Sequence, residues 1–148
     1  MRRYLSRIAG LLLAASVLLA GCDLNAPGGG DALDLSAGPD LSREAAERAA
    51  RAFLSNWEKR DYTAMYAQVG PKARAMFTQD QFVSEYENAA AAMTLESLAA
   101  TITAVNQQGT TVIVNYDVSF QTNFFGEIQD TGRTMRLITT PDGWRVAW

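Results

Sequence analysis

Residues 42 to 148 are predicted to form an α+β domain, with helices first and a four-stranded antiparallel meander after them, the helices segregated to one sheet face. Three observations predict this. Apolar residues recur at helical spacing as far as Met93 and alternate thereafter. Turn signals ("QQG", "QTNFFG" and "PDG") divide the alternating stretch into strand-sized pieces. The chain has 148 residues and is 48% hydrophobic, enough for one core of ordinary size.

The elements follow in order. Ala46, Ala49, Ala50, Phe53 and Trp57 share one face of a first helix, with Ser42 as its N-cap. Glu44 with Arg48 and Glu47 with Arg51 make i,i+4 pairs on the opposite face. Asp61 caps a short second helix whose stripe is Tyr62, Met65, Tyr66 and Val69, and Gly70-Pro71 ends it. "TQDQ", Thr78 to Gln81, fits a capping box and opens a third helix that buries Phe82, Val83, Tyr86 and Ala90. The first strand spans about 97 to 106. The second, 111 to 120, puts Val112, Val114, Tyr116, Val118 and Phe120 on one face and Ile113, Asn115, Asp117 and Ser119 on the other. A third strand covers about 127 to 139. Pro141-Asp142-Gly143 then turns the chain into a closing strand in which Trp144, Val146 and Trp148 share a face.

Ahead of this domain lies a different kind of sequence. "MRRYLSR" carries Arg2, Arg3 and Arg7, and "IAGLLLAASVLL" is an apolar run too short to span a bilayer comfortably. "LAGC" follows, ending in Cys22, the one cysteine of the chain. The arrangement resembles a bacterial lipoprotein signal. It implies that residues 1 to 21 are removed, that Cys22 is acylated and that the chain is held extracytoplasmically at the membrane. Asp23 resembles the signal that retains lipoproteins in the inner membrane of two-membrane bacteria. Residues 22 to 41 then read as a flexible Gly/Pro/Asp tether, its last nineteen residues having an r.m.s. reach of roughly 25 Å. Losing three arginines takes the 13 basic side chains to 10 against 16 acidic ones, and the net charge from −3 to −6. That balance excludes nucleic acid as a partner and leaves the acyl chains as the membrane contact.

The element order resembles the nuclear-transport-factor-2-like (cystatin-like) fold, in which three N-terminal helices sit in the hollow of a curved four-stranded sheet. "AAERAARAFLSNWEKRDYTAMYAQVGPKARAMFTQDQFVSEYENA" and the closing Gly143-Trp144-Arg145-Val146 are similar to the N-terminal domain of certain penicillin-binding transpeptidases, the MecA N-terminal family. The resemblance implies a non-catalytic spacing or interaction module in cell-wall synthesis and the response to β-lactams, with a penicillin-binding transpeptidase or a cell-wall component as partner. Transpeptidases of this type carry Ser-x-x-Lys, Ser-x-Asn and Lys-Thr-Gly; none occurs here, so transpeptidation does not carry over. The domain is expected to close at Trp148. Whether the protein closes there is open, because resembling proteins continue into a catalytic half.

Two other readings stay open: a small-molecule binder or enzyme using the hollow of the cone, and a homodimer joined through the exposed sheet face. Trp57, Tyr62, Tyr66, Tyr86, Tyr116 and Trp144 are candidates to line such a hollow, although their spacing fits plain core equally. Catalytic residues are harder to find. The chain has no His, which removes the commonest general base and metal ligand. Asp117 lies on the polar side of its strand, Asp61 reads as a cap, and Glu85 and Glu87 flank Tyr86 on the outer side of their helix. No phosphate loop or metal-ligand spacing is present, and no cofactor is expected.

Overall fold

The computed structural model describes residues 38–147. The predicted signal peptide, Cys22, the tether up to residue 37 and Trp148 lie outside the described residues. Within them the order is α1 (Arg43–Glu58), α2 (Tyr62–Gln68), α3 (Pro71–Met76), α4 (Gln79–Ala92), β1 (Leu95–Gln108), β2 (Thr111–Thr122), β3 (Gly126–Thr140) and β4 (Gly143–Ala147). The strands form one antiparallel sheet in sequential order, the α+β meander expected.

The caps occur where the sequence places them. The Ser42 side chain accepts from Ala45 N at 3.1 Å, and Asp61 Oδ1 accepts from Ala64 N at 2.9 Å. Thr78 and Gln81 close a reciprocal capping box. One helix exceeds expectation. Pro71, read as a terminator, occupies the first turn of α3, where its fixed φ is already helical and its missing N–H would have had no partner. Six residues are too few to show periodicity, so α3 left no pattern to read.

β2 carries the core. Val112, Val114, Tyr116, Val118 and Phe120 are all buried, and the intervening residues are half-buried. Against this face pack Ala46, Ala50, Phe53 and Leu54 of α1, Met65 of α2 and Phe82 of α4. The sheet edges are partly shielded. On β1, the Ala100 N–H donates to Glu58 Oε1 at 2.7 Å, and Arg60 donates to the carbonyls of Leu95 and Glu96. On β4, Val69 adds a parallel bridge to Val146, and Gly70 N donates to Val146 O at 2.8 Å. A Cβ on Gly70 would stand 3.3 Å from Ile138 Cδ1 and 3.4 Å from Val146 O, so any larger residue there would make the Ile138 side chain give by a few tenths of an ångström.

The β2–β3 reversal depends on a buried hydroxyl. Thr122 Oγ1 accepts from Phe125 N and donates to Gly126 O, both at 3.0 Å, and Asn123 N reaches back to Thr94 O. Replacing Thr122 with isosteric Val leaves both groups without that partner. We expect Thr122→Val to lower unfolding free energy by about 1–3 kcal/mol in urea titrations, and Thr122→Ser to lose much less.

Candidate functional site

The predicted aromatic residues separate into two sets. Trp57 of α1, Tyr62 of α2, Tyr86 of α4 and Tyr116 of β2 line one cavity of about 440 Å³ between the helices and the sheet. Phe53, Met93, Phe120 and Met135 complete its apolar walls. Tyr66 and Trp144 lie elsewhere. Tyr66 packs on Phe82 and donates its hydroxyl to Phe77 O at 2.8 Å, joining α2 to the end of α3. Trp144 is buried and donates its indole N–H to Ser42 O at 3.1 Å, fixing β4 to the start of α1. For these two, helical or strand spacing meant core.

The cavity aromatics brace one another. Tyr62 stacks on Tyr86 with centroids 5.3 Å apart; Trp57 meets Tyr86 edge-on at 6.3 Å and Phe120 edge-on at 5.8 Å. Such edge and offset contacts add to burial and hold the walls in place. Burial pushes the Tyr86 hydroxyl well above the ordinary tyrosine range, and burial also raises Tyr62, with Arg60 opposing. Both therefore remain protonated at neutral pH and present O–H groups rather than phenolates.

The charged residue of this site escaped the sequence reading. Arg133, on β3, pairs across the sheet with Tyr116, while Val118 pairs with Asp130. Two residues, Thr131 and Gly132, thus oppose Asp117 alone. This is a β-bulge, with Gly132 at φ +71°. Asp117 Oδ1 accepts from Gly132 N at 2.8 Å. Asp117 is thus an outer-face bulge clamp, consistent with its expected direction. Past the bulge the side-chain parity of β3 inverts, so Asp130 and Arg133 lie on the same side and pair at 2.6 Å. The hydrogen bond that Arg133 donates to Asp130 holds its guanidinium even higher than usual, so it stays protonated at the cavity wall. Alternation through Leu137 and Met135 was the signal for Arg133, and the isolated glycine inside a strand was the signal for its pairing with Asp130.

Chemically, this cavity is equipped to bind. Among its described lining residues are Arg133 and tyrosine hydroxyls but no carboxylate or cysteine to accept a substrate proton or attack a carbonyl. Among the described residues no group of three acidic, His or Cys side chains could hold a metal ion. Glu85 and Glu87 are exposed on α4.

Comparison with known proteins agrees with the architecture. The family model of the NTF2-like N-terminal transpeptidase domain matches residues 45–148. No curated protein matches. Among solved structures, a candidate dehydratase of the NTF2-like family from Streptomyces avermitilis is 16% identical with a TM-score of 0.55, covering 74% of this chain and 94% of its own. A SEC-C-motif protein from Rhodopseudomonas palustris is 14% identical with a TM-score of 0.56, covering 72% and 78%. At these identities the likeness concerns fold alone.

The tyrosine shifts predict alkaline behaviour. In the unfolded chain Tyr86 ionises near pH 10, whereas in the folded chain it keeps its proton to higher pH. Above about pH 10 the unfolded state therefore binds fewer protons, and stability falls as pH rises. Denaturation midpoints measured from pH 8 to 11.5 should fall more shallowly for Tyr86→Phe than for the wild type.

Proposed function

Because the chain belongs to the family of NTF2-like N-terminal transpeptidase domains, we propose that it is a non-catalytic docking module in cell-wall synthesis, held at the outer side of the bacterial cell membrane by acyl chains on Cys22. The observation that carries the non-catalytic part is the cavity wall, which offers hydrogen-bond donors and a cation but no base. The anchor rests on the order of a basic leader, an apolar run and "LAGC" at the only cysteine.

Docking is supported by a feature that the core does not explain. Phe124 and Phe125, at the β2–β3 tip, are 80% and 67% exposed, and their rings meet edge-on with centroids 5.0 Å apart. The Thr122 hydrogen bonds hold this turn in one conformation, so the pair is presented with little ordering entropy left to lose. Exposed aromatics on a rigid support are the usual anchors of a protein–protein contact. The direction is informative too. The chain enters the domain beside Trp144 and Gly143, at the far end of β3 from Phe125. At about 3.3 Å per residue, β3 alone separates the two ends by up to roughly 50 Å. A tether attached at one end favours a tip that points away from the bilayer, toward a partner in the wall-building machinery.

The outer sheet face is a weaker candidate for docking. A second copy placed there would cover Asn115, Asp117 and Ser119 beside Ile113, a mostly polar strip rather than an apolar patch.

Labelled palmitate should enter the wild type and not Cys22→Ala; equal incorporation in both would remove the anchor. A photo-crosslinking residue at position 124 should capture a protein that also reacts with fluorescent penicillin, and one at position 115 should not. Equal capture from both positions, or none from 124, would count against tip-mediated docking on a transpeptidase.

A further inference from the structure

We infer that the cavity between α1, α4 and the sheet is a receptor for a small amphipathic anion: an aromatic or branched hydrocarbon body carrying a single oxyanion head. The inference goes beyond the docking role and is independent of the lipid anchor.

Size comes first. A cavity of about 440 Å³ falls in the range of roughly 300–1,000 Å³ that accepts small organic ligands. Its walls are Trp57, Tyr86, Phe120, Met93 and Met135, aromatic and thioether surfaces suited to a flat or compact hydrocarbon body.

Charge selects the head group. Arg133 is the ionic side chain that this wall turns toward the cavity, since Arg136 lies between the buried Met135 and Leu137 and pairs with outer-face Ile113; the charged group a ligand meets is thus a guanidinium already oriented by Asp130. A guanidinium carries five N–H donors in a planar fork, and the pairing with Asp130 engages Nη1. The other donors suit a planar or tetrahedral oxyanion. Asp130 thereby acts as the positioning residue for Arg133. Tyr116, hydrogen-bonded to the guanidinium, and Tyr86, on the same cavity wall, flank it.

Access follows from the exposure of Arg133. Its side chain lines the cavity and is 49% exposed. The cationic side thus faces solvent, and the aromatic side lies deeper, under α1 and α4. An amphipathic anion would enter hydrocarbon first and leave its head against Arg133.

Two probes with the same rings test this directly: 8-anilinonaphthalene-1-sulfonate, which carries the anion, and N-phenyl-1-naphthylamine, which lacks it. Titrated onto the full chain, the sulfonate should bind saturably at one site, at least tenfold tighter than the neutral probe. Arg133→Gln should remove that preference while leaving the neutral probe's affinity unchanged. Ala90→Phe, filling the cavity from α4, should block both. A double variant, Phe124→Ser with Phe125→Ser, should bind as the wild type does, separating the cavity from the exposed tip. Circular dichroism should match across all variants. Equal affinities for the two probes, an unchanged preference in Arg133→Gln, or loss of binding in the tip variant would overturn the inference.

Discussion

The strands are longer than the helices that cover them, and much of the structure follows from that mismatch. At about 3.3 Å per residue, β2 and β3 extend roughly 40 and 50 Å, while α1 and α4 reach about 24 and 21 Å at 1.5 Å per residue. A sheet of that length cannot be capped by one layer of short helices along its whole inner face. Where α1 and α2 cross β2, packing closes around Val112, Val114 and Met65 with essentially no exposure. Further along, the same face carries Tyr116 and Phe120, which look into the cavity. At its far end the hairpin runs past the helices and exposes Phe124 and Phe125. Closed core, lined cavity and projecting tip are three stages along one pair of strands.

This gradient also explains which parts were legible in the sequence. The caps, the helical stripes and the β2 alternation are local patterns with fixed periods, so they could be read residue by residue. The four cavity aromatics on α1, α2, α4 and β2 were visible for the same reason, although nothing in their spacing separated them from Tyr66 and Trp144. That distinction is tertiary. Tyr66 and Trp144 each found a backbone carbonyl within the core, on Phe77 and Ser42, whereas the other four face the space between layers. α3 was missed because one and a half turns carry no period. Arg133 shares the parity of Leu137 and Met135 and was open to reading; what the bulge hid was its pairing, because unbroken alternation would have placed Asp130 on the opposite face from Arg133.

The bulge is accordingly the feature with the widest consequences for its size. One carboxylate, Asp117, accepts one backbone N–H, from Gly132, and so stabilises an extra residue in β3. The insertion brings Asp130 and Arg133 to one side, where they pair and the carboxylate orients the guanidinium at the cavity wall. A carboxylate that sequence reasoning weighed as a possible base thus influences the cavity through the backbone, from the opposite face of the sheet.

The same insertion bears on how the sheet meets its surroundings. Beyond the part paired with β4, β3 is an edge among the described residues, and a long flat edge invites pairing with another chain. A bulge adds local twist and breaks the hydrogen-bond repeat that a docking strand would need. Charged side chains at Glu127, Asp130 and Arg133 along this stretch would have to be desolvated or matched by any strand that joined it. The docking and ligand roles proposed above accordingly fall on the aromatic tip and the cavity rather than on the sheet edge.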